Sequence, residues 1–90
     1  MADIAVTSVG PRAFKVQVRE GARTSSFDVT VPGSLIDELR LPEDDLEKVV
    51  RESFVFLLER EPASAILPAF SLDVISRYFP EYKKELPKRL

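Results

Sequence analysis

The side chains of this sequence that could do chemistry are few, and their types restrict the reactions open to it. Two adjacent carboxylate pairs stand out, Asp37 with Glu38 and Asp44 with Asp45. Paired carboxylates can hold Mg²⁺ or divide the roles of acid and base. Neighbouring positions on a helix point about 100° apart, however, so neither pair converges on one ligand. Ser34 and Ser71 would need a base to become nucleophiles, and the sequence has no histidine. It also has no cysteine, which excludes a Cys/His zinc site, a disulfide framework, a thiol nucleophile and, with histidine missing, a Ser-His-Asp triad. Gly10, Gly21 and Gly33 are the only glycines and are too scattered for a phosphate-cradling loop. Tyr78, Phe79 and Tyr82 lie beside a basic C-terminal run, where they could stack on bases or close a small core. Neither enzymatic activity nor a metal or cofactor is expected from this set.

The elements that must position these residues can be read from hydrophobic periodicity. Ninety residues, 44% hydrophobic and 31% charged, fit one globular domain. Three runs alternate: Ile4 and Val6; Phe14, Val16 and Val18; Phe27, Val29 and Val31. Each places apolar side chains on one face of a strand, as in an antiparallel sheet covered on one side. Glu20 to Arg23 reads as a four-residue hairpin loop. Facing Arg19 with Thr24 brings Val16 beside Phe27 and Phe14 beside Val29, and predicts a Lys15–Asp28 ion pair on the outer face.

Beyond Pro32 the pattern turns helical. Ser34 can cap a short helix through Leu39. A main helix over 43–60 starts behind Pro42, with Glu43, Asp44 and Asp45 at the positive end of its dipole and Asp44–Lys48 and Glu47–Arg51 as i,i+4 pairs. Its apolar residues span roughly 200°, wider than the stripe that one flat sheet covers. A second cover is therefore expected, from the C-terminal segment or from a second subunit. Residues 63–70 read as a buried connection, and Ser71 as the cap of a helix over 72–79. The expected fold class is α+β, a small antiparallel β-sheet of two or three strands packed on one face by C-terminal α-helices. Residues 1–82 form the single domain, and 83–90 a polar, partly basic tail.

The net charge of −2 hides a division. Residues 43–61 carry seven acids against three bases, and residues 62–90 three acids against five bases. Two candidate basic surfaces follow, Arg12, Lys15, Arg19 and Arg23 on the hairpin and Lys83 and Lys84 in the tail. No leader-like or membrane-spanning run is present, so a cytoplasmic location without a membrane partner is expected.

Two resemblances attach to particular residues. "SFVFLLEREPASAIL" from Ser53 to Leu67, with "FSLDVISRYFPEY" from Phe70 to Tyr82, resembles a small uncharacterised bacterial protein family and implies no activity. "FDVTVPGSLIDEL" from Phe27 to Leu39, followed by the helix behind Pro42, is similar to the strand, proline, helix, helix order of ribbon-helix-helix repressors and antitoxins. That resemblance implies a strand paired with its dimer mate and Ser26, Asp28 and Thr30 facing DNA bases. The leading expectation is a non-enzymatic protein-interaction or self-association module, its candidate interface being Val55, Phe56 and Arg51, with a protein partner or a homodimer. The alternative is a nucleic-acid-binding regulator or antitoxin of ribbon-helix-helix-like type.

Overall fold

Alternating apolar residues become strands here because each run offers one face that a helical layer can dry. The computed structural model describes residues 2–90. Strands β1 (Asp3–Gly10), β2 (Ala13–Glu20) and β3 (Arg23–Thr30) form an antiparallel meander. Val6, Phe14, Val16, Val18, Phe27 and Val29 are buried on its inner face, and the predicted register holds, with Arg19 facing Thr24 and Val16 facing Phe27.

Two details of the hairpin differ from expectation. Glu20 pairs with Arg23, so the turn is two residues long. Gly21, at φ 61°, takes the first turn position, where a type II′ hairpin needs the conformational freedom of glycine. Lys15 and Asp28 are aligned but form no ion pair among the described residues.

The sheet has four strands rather than two or three. Ala69–Ser71, the end of the predicted connection and the predicted helix cap, forms β4 and lies parallel to β3. Asp28 N–H donates to Pro68 O at 2.9 Å and sets that register. Three residues are too few to carry a period, and their partner lies some forty residues earlier in the chain.

Helix α1 (Gly33–Leu39) follows Pro32, which occupies the cap position in extended conformation; Ser34 is inside the helix and caps nothing. Glu43–Asp45 form a 3-10 turn, and the main helix, α2, spans only Leu46–Leu58. Of the two predicted pairs on it, Glu47–Arg51 forms at 3.9 Å and Asp44–Lys48 does not appear among the described residues. Ser71 precedes a 3-10 turn (Leu72–Val74) and α3 (Ile75–Tyr78) without a side-chain capping bond.

The predicted tail is a helix, α4 (Tyr82–Arg89), with Tyr82 and Leu86 fully buried. Lys83, Lys84, Glu85, Lys88 and Arg89 give the segment its polar appearance, but i,i+4 spacing brings Tyr82 and Leu86 onto one face. This helix is the second cover that the wide arc of α2 required. Phe54 packs on Phe27 and Phe70 at 5.3 and 5.9 Å between ring centres. On the other side Phe56 packs on Phe79 and Tyr82 at 6.0 and 5.3 Å. No helix among the described residues is long and apolar enough to cross a membrane.

Candidate functional site

The C-terminal end of α2, the segment leading to β4, and α3 enclose an open apolar groove of about 440 Å³. Pro62 and Pro68 bracket its far wall, a 3-10 turn at Ala63–Ala65 followed by extended backbone at Ile66. Extended geometry turns successive side chains to opposite sides. Ile66 therefore enters the core, 7% exposed, and Leu67 faces outward, 49% exposed. Leu57 and Ile75 form the buried floor, with Phe70 and Phe79 half-buried beside them. Tyr78, at the end of α3, is 69% exposed on the rim.

Glu61 supplies the one charge in this lining. Its side chain is half-buried and has no ion-pair partner among the described residues. The neighbouring cation is turned away: the Arg60 guanidinium stacks 3.6 Å from the centre of the Phe56 ring and bonds Glu59 and Glu81 at 3.3 and 3.4 Å. Arg89 completes that cluster through two bonds to Glu59, at 2.7 and 3.1 Å, and these hold the Glu59 carboxyl below the usual carboxylate range.

A smaller, polar cavity of about 320 Å³ lies between α1, α3 and α4, lined by Ser34, Glu38, Asp73, Ser76, Arg77 and Lys83. Lys83 pairs with Glu38 at 2.9 Å across it. Asp73 Oδ1 is buried without a hydrogen-bond partner among the described residues.

The predicted site residues fall in separate places. Phe56 is fully buried under Arg60, Phe79 and Tyr82, which corrects its assignment to an interface. Val55 is half-buried, and Arg51 is exposed beside Glu47. The hairpin cations do not make a positive field, because strand register sets an acid opposite three of them: Asp3 faces Arg19, Asp28 faces Lys15 and Glu20 faces Arg23. Arg12 lies over Gly33, against α1. Lys83 and Lys84 are on α4, in the helical layer rather than on the outer face of the sheet. Asp37, Glu38, Asp44 and Asp45 are exposed, and no group of three or more potential metal ligands occurs among the described residues.

A ribbon-helix-helix strand needs a free edge for its dimer mate. Over Asp28–Thr30, β3 is instead paired on both sides, with β2 and with β4. Tyr82 closes the core, as one of its two sequence readings has it, and the residue that sequence reading missed is Ser53, whose hydroxyl lies 2.7 Å from that of Tyr82. A serine among apolar neighbours on α2 was the available signal.

No protein-family model matches the chain, and no curated protein and no solved structure matches it.

Proposed function

We propose that the chain is a protein-interaction module that receives an apolar segment bearing a basic residue in the groove between α2, β4 and α3. The observation that carries this reading is the pairing of exposed Leu67 and Tyr78 with a half-buried Glu61, unpaired among the described residues, around one apolar recess. Exposed apolar groups clustered about a concavity favour burial by a partner, whereas scattered ones need no explanation. A carboxylate at the rim selects among apolar partners by favouring a Lys or Arg beside the anchor. Aromatic residues such as Tyr78 are frequent binding hot spots because a rigid ring gives much contact area for little lost freedom. The balanced hairpin charges and the doubly paired β3 give the nucleic-acid alternative less support.

Selection of a random peptide library against the immobilised chain tests this. Recovered peptides should combine apolar residues with a Lys or Arg, and Leu67→Glu should weaken them by about tenfold or more. Glu61→Lys should discriminate against the basic ones. An absence of binders, or binders indifferent to both substitutions, refutes the reading. Duplex and single-stranded nucleic acid should show no salt-dependent binding in the same assay at low salt.

A further inference from the structure

The two edges of the sheet differ. β4 closes one side with only three residues. β1 leaves the other side open, regular in its register over Asp3–Ser8, with no proline, no lysine and a single charge at its first position. Short length, proline, lysine and bulges are devices that blunt an edge strand, and β1 carries one of them, a register shift confined to its end between Ser8 and Gly10.

Strand pairing identifies which groups of β1 are open. Across a two-residue hairpin the residues flanking the turn exchange both main-chain bonds, so Glu20 bonds Arg23, and Val18, Val16 and Phe14 likewise bond β3. The intervening residues of β2, Arg19, Gln17 and Lys15, then bond Asp3, Ala5 and Thr7 of β1. The same alternation sends Asp28 N–H away from β2, and it donates to Pro68 O, which agrees. Ile4, Val6 and Ser8 therefore direct their N–H and C=O groups outward, beyond the sheet.

The flank beneath this edge is apolar and incompletely covered. α2 packs on β1. From Phe54, which meets Phe27 and Phe70, one sense of rotation around α2 leads through Leu57 in the groove to Ser53 and Phe56 under α4. The other sense leads to Leu58, Arg51 and Val55, roughly 40°, 60° and 100° on. Leu58 and Val55 on this second arc are half-buried, as is Ile4 of β1, the strand on which α2 packs.

We propose that the chain forms a twofold homodimer by antiparallel pairing of β1 with β1 of a second copy, with Leu58 and Val55 of the two α2 helices closing beneath the joint. A second copy fits because the open groups are self-complementary. With Val6 opposite Val6 of the other chain, Ile4 meets Ser8 and Ser8 meets Ile4, and every outward N–H gains an acceptor. Charge also permits it. The two Asp3 residues lie at opposite ends of the joint, and Glu47 and Arg51 on the flank already neutralise each other at 3.9 Å. The continued sheet covers Ile4 on its inner face. This joint is separate from the groove, and either can fail without the other.

Sedimentation and amide exchange on the full chain test the proposal. Its mass should rise from one chain to two between micromolar and submillimolar concentration, with the amides of Ile4, Val6 and Ser8 gaining protection in step. Ala5→Lys with Thr7→Lys puts lysines on the exposed outer face of the edge and should weaken association at least about tenfold while circular dichroism and Tm stay unchanged. Val55→Lys, which leaves β1 intact, should weaken it as well. A monomer throughout, a dimer in which those three amides still exchange freely, or one that survives the edge lysines overturns the proposal.

Discussion

Replacing Ser53 with alanine should cost more stability than replacing Tyr82 with phenylalanine, although each removes the same hydrogen bond. Ser53 Oγ lies 2.7 Å from Val49 O and 2.7 Å from the Tyr82 hydroxyl, and Ser53 and Tyr82 are both fully buried. A serine has one proton, and a carbonyl can only accept, so Ser53 donates to Val49 and Tyr82 donates to Ser53. Tyr82→Phe leaves Ser53 bonded to Val49 and strands no polar group, a loss of roughly 0.5–1.5 kcal/mol. Ser53→Ala instead strands a buried phenol, worth roughly 1–3 kcal/mol, offset by at most about 0.7 kcal/mol from the better helix propensity of alanine. The double variant should be no less stable than Ser53→Ala alone, because the stranded hydroxyl is gone. In a domain of this size each kcal/mol moves Tm by roughly 4–8 °C, so the order of the three variants is resolvable by urea and thermal unfolding followed by far-UV circular dichroism. Equal single costs, the reverse order, or strictly additive losses would refute the proton assignment and the docking of α4 that it depends on.

Burial also pushes the Tyr82 phenol above its ordinary range, so the folded protein keeps that proton to higher pH than the unfolded chain does. The corresponding stability is complete below about pH 10, where the unfolded phenol ionises, and is lost as pH rises beyond it. The advantage of the wild-type chain over Tyr82→Phe should therefore shrink in alkaline denaturation curves; a constant gap would contradict it. Leu86→Ala should destabilise by about 2–5 kcal/mol in urea unfolding, whereas a solvated tail would show no change. Arg40 ends α1 at φ 53°, a left-handed conformation that costs a side-chain-bearing residue about 1–2 kcal/mol, so Arg40→Gly should raise the urea midpoint, and a fall would show that the Arg40 side chain does more than cap.

The parts legible in the sequence were those in which neighbours along the chain carry the signal. Short alternating runs, Ile4 and Val6, Phe14 to Val18 and Phe27 to Val31, marked β1, β2 and β3, and one-sided burial selected the register, because a one-residue slip would turn Val16 and Phe27 out to water. The excess width of the apolar arc on α2 requires a second layer, which α4 supplies. Segments whose role depends on distant partners were harder to read. The three residues of β4 become a strand only beside β3, and the 83–90 segment reads as polar until Tyr82 and Leu86 meet Phe56 and the core. Of the candidate interface, Phe56 lies on the apolar arc by helical period, which does not say what covers that arc, and Tyr82 of α4 covers it.

Composition alone determined that this chain offers no thiol, imidazole or disulfide, and local periodicity determined most of its elements. Tertiary structure decided which surfaces remain available. Cross-strand register set acids opposite a basic patch that looks continuous in one dimension, α4 sealed the face of Phe56, and the turn of Ile66 into the core left Leu67 on the rim of a groove beside a half-buried Glu61. The physical reason is that burial and charge balance are set by neighbours in space, and for these residues the neighbours come from other elements of the fold.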